Sequence, residues 1–210
     1  TQGQFIVDAL DLDNQDGPFN IEMVTGDPGD NNVNFFFGGA MDVLQPYIDA
    51  GKLVVPSGQM TKDEVATANW ATDAAQARFE NILSSNYADG TPLHAVLASN
   101  DSTALGVTNA LAANYTNDVY PVITGQDCDI ANVPNIVNGK QAMSVFKDTR
   151  TLATKVVEMV DAIMTGGEAP VNDTKTYDNG TGIIPSYLCE PVAVTADNYK
   201  EILIDSGYYT

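Results

Sequence analysis

The stretch Leu93-His94-Ala95-Val96-Leu97-Ala98-Ser99-Asn100-Asp101 decides how this chain folds. A short apolar run without polar alternation ends abruptly in Ser-Asn-Asp, and residues with helical periodicity follow it. Such a run suits a strand buried on both faces, as in a parallel sheet. Four other stretches repeat the layout. Residues 19–25 run into Gly26-Asp27-Pro28-Gly29-Asp30-Asn31-Asn32, and residues 52–55 into Pro56-Ser57-Gly58-Gln59. Residues 120–124 run into Gly125-Gln126-Asp127, and residues 142–146 into Lys147-Asp148. In each, the polar residues stand at the carboxyl end of the run, where open α/β sheets take their ligands. The five endings are expected to line one half of a polar small-molecule site.

Outward from these runs, apolar residues recur at helical spacing. Phe36, Ala40, Val43, Leu44, Tyr47 and Ile48 precede Gly51; Ala68, Ala71, Ala75, Phe79 and Ile82 follow the second run. Ala104, Leu105, Thr108 and Leu111 follow the third, and Ile130, Val133 and Val137 follow the fourth and end at Gly139. Strands alternating with helices imply βαβ units, and right-handed crossovers put helices on both faces. The expected fold class is therefore α/β, a doubly wound five-stranded parallel sheet, preceded by a short helical face at residues 4–10.

After Lys147 the pattern changes. Leu152, Val156, Met159, Val160 and Ile163 predict an amphipathic helix closed by Gly166-Gly167. A polar stretch follows to Gly180. Ile183-Ile184-Pro185 and Tyr187-Leu188 predict a strand with a proline break, and residues 198–204 a last short helix. The helix at 152–164 has no strand immediately before it, so it is expected in a different layer from the five-stranded unit.

Composition narrows the function. A chain of 210 residues suits one large domain, or one domain with an appendage. Its 28 acidic and 9 basic residues give a net charge of -19. That argues against nucleic acid or an anionic membrane, which need clustered Lys and Arg. Cys128 and Cys189 form no CxxC and read as two small buried side chains, with a disulfide left open. The acidic turn at residues 11–17 does not match calcium-loop spacing, because Leu12 falls on the first ligand position. No membrane span is read, and the chain passes from Thr1-Gln2-Gly3 straight into helix-like sequence; any export signal is expected to lie outside these residues.

No catalytic centre is expected. His94, the single histidine, lies at the start of its strand, the wrong end for the crevice. No Gly-rich loop with Lys follows a strand, residues 26–29 lack G-x-G-x-x-G, and no His/Cys cluster has metal spacing, so neither cofactor nor metal is expected. What remains is a set of amides and carboxylates at strand ends: Asp30, Asn31, Asn32, Asn100, Asp101 and Asp127, joined by Lys147 and by the single tryptophan, Trp70. Asn offers donors and an acceptor on one planar group and Asp two acceptors, which matches neighbouring sugar hydroxyls. An aromatic face suits the C–H face of a pyranose. Asp and Asn before a periodic run are equally N-caps. From residue type alone both roles stand, and Trp70 is either core filler or stacking platform.

Taken together and in order, several motifs resemble bacterial periplasmic sugar-binding proteins of the xylose-binding and multiple-sugar receptor class. They are Gly-Asp-Pro-Gly-Asp-Asn-Asn at 26–32, Gln-Pro-Tyr-Ile-Asp-Ala-Gly at 45–51, Ala-Ser-Asn-Asp at 98–101, Gly-Gln-Asp-Cys-Asp at 125–129 and Val-Phe-Lys-Asp-Thr-Arg-Thr-Leu-Ala at 145–153. Val-Asn-Asp-Thr-Lys-Thr-Tyr at 171–177, Pro-Ser-Tyr-Leu at 185–188 and Asp-Ser-Gly-Tyr-Tyr at 205–209 extend the match. The resemblance implies a two-lobed type I binding protein that delivers a monosaccharide such as xylose, glucose or galactose to the permease of an ABC importer, with a chemotaxis or signalling role in some members. It implies a periplasmic or extracellular membrane-associated location. Carried over motif by motif, Asp30, Asn32, Asn100, Asp127 and Lys147 bind sugar hydroxyls, and Trp70 stacks on the ring.

Two departures stand out. Gly-Asp-Pro-Gly replaces the usual Gly-Ser-Pro, and Cys128 stands where relatives usually carry alanine. The resemblance also implies an N-terminal lobe outside this chain. On that reading residues 1–148 are the C-terminal lobe with a half-site, 149–184 pack on the absent lobe, and 185–210 are the return crossing and last helix. The alternatives are the effector lobe of a LacI-type regulator, which would bring a basic helix-turn-helix, a nucleoside- or autoinducer-binding protein of the same fold, and an enzyme on a doubly wound sheet. The last would need a nucleophile or cofactor loop at a strand end.

Overall fold

The structure is a computed structural model and describes residues 1–210. Two compact units divide the chain: residues 1–145 with 193–210, and residues 146–192. In the first unit, helix α1 (Gln2–Ala9) leads into β1 (Phe19–Val24), α2 (Asn32–Asp49), β2 (Leu53–Val54) and α3 (Thr72–Asn86). Then come β3 (Ala95–Ala98), α4 (Asp101–Asn114), β4 (Val122–Ile123), the short α5 (Val133–Val137) and β5 (Ser144–Phe146). The sheet runs in the order β2-β1-β3-β4, every pair parallel. Its longest ladder pairs Ile21 with Ala95 through Val24 with Ala98.

All four residues of β3 are buried, as an apolar run sandwiched between two layers of helix requires. Side chains of a strand alternate between faces, and the two cores divide accordingly. Ile21, Met23, Ala95 and Leu97 pack with Val7 of α1 and Phe37 and Leu44 of α2. Val24, Val96 and Ala98 pack on the opposite face with Phe79 of α3 and Val107 of α4. Glycines stop the helices where the spacing predicts: Gly51 and Gly139 take φ of +72° and +70°, conformations that other residues adopt only at a cost.

One position in β1 breaks the apolar rule. Glu22 is fully buried. Its carboxylate accepts from the Ser57 amide (3.0 Å), the Ser57 hydroxyl (2.6 Å) and the Tyr87 hydroxyl (2.9 Å). It thus ties the loop after β2 to the end of α3. Burial is the largest influence on this carboxyl and raises its pKa, against the three donors.

The fifth strand is a weaker member than expected. β5 meets the main sheet through a single parallel bridge, Gln126 to Val145, and forms a two-stranded sheet with β6 (Val192–Val194). The cause is local: β4 is two residues long, and Asp127 and Cys128 both take positive φ, which turns the chain out of the ladder.

In the second unit, α6 (Thr149–Met164) is capped by Asp148, whose carboxylate accepts from the Arg150 amide at 2.9 Å. None of its residues is buried. Val157, Val160 and Ile163 are 67%, 53% and 63% exposed. The strand predicted at 183–188 does not form. Pro185 lacks the amide a ladder needs, and this segment makes two isolated antiparallel bridges, Asp173–Ser186 and Asp178–Ile183. The regular strand is β6, further on. The last helical segment, Lys200–Asp205, belongs to the first unit and is wound as a π-helix.

Candidate functional site

Strand order sets which loops meet. β1 lies beside β3 and β3 beside β4, so the segments leaving their carboxyl ends are neighbours. The Ser99 hydroxyl donates to the Thr25 hydroxyl at 2.9 Å, and the Asp101 amide to the Gln126 carbonyl at 2.9 Å. The buried Gln2 side chain crosses the same edge and donates to the carbonyls of Ala98 (2.8 Å) and Gly125 (2.9 Å). Asp30, Asn32, Asn100 and Asp127 all leave this edge, from three successive strand ends.

Trp70 reaches the same group from the segment after β2. Its indole Nε1 donates to Asp30 Oδ2 at 3.1 Å, so two of the expected site residues are in direct contact. The indole lies against Gly26. A Cβ on that glycine would stand 2.1, 2.1 and 2.2 Å from Trp70 Cδ2, Cε2 and Cε3, an approach onto the ring face that only glycine permits. Phe36 meets the same ring edge to face, with centroids 6.3 Å apart. Trp70 is half-buried.

A strap holds the indole in place. The Thr25 amide donates to the Val65 carbonyl and the Thr67 amide to the Gly26 carbonyl, both at 2.9 Å. Asp27 accepts from the amides of Asn69 (2.7 Å) and Gly29 (2.8 Å). These two donors, Asn69 first, hold its carboxyl below the usual range. The strap is needed because Asn69 and Trp70 are consecutive non-glycine residues with φ of +55° and +56°. Each such residue costs about 1–2 kcal/mol. A second pair, Asp127 (φ +96°) and Cys128 (φ +55°), stands at the end of β4. Both strained pairs contain an expected ligand residue, and each opens on an Asn or Asp, types that tolerate a left-handed backbone, followed by a residue that does not favour it.

Capping and ligand contact, left open by residue type, separate here. Asn100 is the N-cap of α4: its Oδ1 lies 3.0 Å from the Thr103 amide and 2.9 Å from the Thr103 hydroxyl. That oxygen is engaged, and the Nδ2 donors remain for a ligand. Asp30 accepts from the Asn32 amide at 2.9 Å, a local turn that fixes the start of α2. Asp101 is fully buried and is no surface contact. Asp127 is exposed, and its amide donates to the Val145 carbonyl at 2.9 Å. Lys147 belongs to the second unit. There it lines a cavity of about 400 Å³ with Asp148, Leu152, Tyr177, Tyr187 and Glu190.

Two other readings resolve. Both thiols are free; that of Cys128 is buried and pushed up to about 12, so it is a neutral packing group. His94 Nδ1 accepts from the Asn20 amide at 2.9 Å, which fixes the ring at the entry to β3, away from the site edge.

Residues 1–168 match the periplasmic binding protein domain family. The whole chain aligns at 51% identity with the multiple sugar-binding periplasmic protein SbpA of Azospirillum brasilense, covering 59% of that protein. Nearly all of it, 99%, aligns at 48% identity with the multiple sugar-binding periplasmic receptor ChvE of Rhizobium radiobacter, again covering 59%. An ABC transporter solute-binding protein from Clostridium phytofermentans, solved with bound β-D-glucose, superposes with a TM-score of 0.95 at 67% identity over all of this chain and 64% of that one. A carbohydrate transporter solute-binding protein from Chloroflexus aurantiacus, solved with D-glucose, superposes with a TM-score of 0.83 at 33% identity, over all of this chain and 64% of its own. The chain thus spans about three-fifths of the length of these relatives. With four-fifths of its residues inside the matched domain, the chain belongs to the periplasmic binding protein family.

Proposed function

We propose that this chain is the sugar-holding part of an extracytoplasmic solute-binding protein that takes a monosaccharide such as glucose, xylose or galactose and hands it to the permease of an ABC importer. The observation that carries this reading is the single sheet edge shared by Asp30, Asn32, Asn100 and Asp127, with the Trp70 indole docked on Asp30. Planar amides and carboxylates match vicinal hydroxyls, and an aromatic face matches the apolar face of a pyranose. The protein acts by binding, without turnover, as its relatives' names as binding proteins and receptors suggest.

Residues 149–184 pack, on this reading, against an N-terminal lobe outside these 210 residues. Two facts support it: the exposed apolar stripe of α6, and the three-fifths coverage of the relatives. Both lobes then contribute to the sugar site. Micromolar affinity is about -8 kcal/mol, and each hydrogen bond to a charged group contributes about 1.5–3 kcal/mol. Removing half the contacts leaves millimolar affinity or none.

Titration calorimetry with glucose, xylose, galactose and arabinose tests this on the intact protein and on residues 1–210. The expected result is micromolar binding of at least one sugar by the intact protein and a loss of a thousandfold or more in the isolated chain. An intact protein silent toward all four would overturn the proposal.

A further inference from the structure

We infer that Asp101, itself outside the proposed sugar contacts, is the positioning residue for Asp127, holding the 127–129 turn in the conformation that sets the Asp127 carboxylate at the site edge. The inference rests on the sugar-binding reading above.

The turn is strained and its amides are all engaged from outside it. The Asp127 amide goes to the Val145 carbonyl (2.9 Å), the Cys128 amide to the Ser144 hydroxyl (3.0 Å), and the Asp129 amide to Asp101 Oδ2 (2.8 Å). The Ser144 hydroxyl in turn donates to Asp101 Oδ1 (2.8 Å), which also accepts from Gln141 Nε2 (2.8 Å). Two of the three amides therefore end on the Asp101 carboxylate, one directly and one through a single hydroxyl. Tyr209 closes the turn from the far end of the chain by donating to the Cys128 carbonyl at 3.0 Å.

The arrangement is a poor choice for stability alone. A fully buried carboxylate is desolvated, and an apolar side chain of similar size is often the more stable solution. Its anionic neighbour Asp129 adds like charge. The backbone is fitted to it as well: a Cβ on Gly125 would stand 2.2 Å from both Asp101 Oδ1 and Gln141 Nε2. A carboxylate offers what no apolar residue can, acceptors for amides that a left-handed turn withdraws from the sheet ladder. Without it, the turn is free to relax toward negative φ and carry Asp127 away.

The test uses the intact protein, with D-glucose and D-xylose as probes in calorimetry, thermal melts alongside, and amide hydrogen exchange at Cys128 and Asp129. Asp101→Asn is expected to speed exchange at both amides and to weaken sugar binding about tenfold, which is about 1.4 kcal/mol. Adding Cys128→Gly, which takes φ +55° without strain, is expected to recover at least threefold of that affinity while lowering the melting temperature further, because it empties a buried site. A purely structural role would move affinity and melting temperature together. Should Asp101→Asn not fold, Ser144→Ala removes only the relay, with faster exchange at Cys128 and about a threefold loss of affinity. Protected amides in the variants, or wild-type affinity, would overturn the inference. A wild-type protein that binds neither sugar defeats the sugar reading instead, and the exchange measurement then decides the clamp on its own.

Discussion

Replacing Gly26 by alanine isolates the contact that seats Trp70. Gly26 lies outside the left-handed region, so alanine meets no backbone penalty there, and the loss of chain entropy on folding even favours it by about 0.4–1 kcal/mol. The new Cβ, however, would stand 2.1 Å from the indole, where carbon–carbon contacts settle near about 3.5 Å. The ring must retreat by about 1.4 Å, taking Nε1 out of reach of Asp30, now 3.1 Å away. Overpacking costs about 1–3 kcal/mol and the hydrogen bond about 0.5–1.5 kcal/mol. The net expectation is a destabilisation of about 1–3 kcal/mol. With a urea slope of about 2 kcal/mol per molar, the midpoint falls by about 0.5–1.5 M. Trp70 is the chain's single tryptophan, so its fluorescence reports this ring alone. Emission should shift to the red and acrylamide quenching should rise. In a Trp70→Ala background, followed by circular dichroism, the same substitution should become nearly neutral. A midpoint within about 0.2 M of wild type, with quenching unchanged, would refute the ring-on-backbone contact.

Other expectations follow from the same groups. Burial lifts Asp101 from 3.8 to about 7, so across that window the folded chain holds a proton the unfolded chain has released. The stability it contributes is full below about pH 4 and is lost as pH rises through 7, with an upper limit of about 4 kcal/mol. Urea midpoints from pH 4 to 8 should decline more in wild type than in Asp101→Asn; parallel curves would exclude that titration. His94 should be the Nε2–H tautomer at neutral pH, because Nδ1 accepts from Asn20, and long-range proton–nitrogen NMR that finds Nδ1 protonated contradicts the assignment. Val160→Asp should change the stability of residues 1–210 by less than about 0.5 kcal/mol, since the side chain is 53% exposed, yet impair the intact protein. Equal tolerance in both would remove α6 from any lobe contact.

Most of the frame could be read from residue order. β3 is an unbroken apolar run, and Gly51 and Gly139 mark real helix ends, because burial on two faces and left-handed stops leave compositional traces. The residues of the proposed site are visible in the sequence as polar groups after apolar runs, and Asp30, Asn32, Asn100 and Asp127 leave one sheet edge. Conformation that depends on distant partners was not. Asn69 and Asp127 are types that tolerate positive φ without requiring it, and Trp70 and Cys128 give no warning of it; Asp27, Ser144 and Asp101 hold these turns from elsewhere in the chain. Ile183 and Ile184 read as a strand because apolarity does not reveal whether a partner lies alongside, and the proline after them denies one.

The engaged oxygen of Asn100 makes that corner chemically one-sided. With Oδ1 committed to Thr103, Asn100 can give protons and cannot take them, whereas the Asp127 carboxylate can only take them. Fluorine in place of a hydroxyl keeps a weak acceptor and removes the proton. If the proposed sugar site holds, a series of monodeoxyfluoro sugars should therefore divide into positions tolerated beside Asn100 and positions rejected beside Asp127, and the division would read out which way round the pyranose lies.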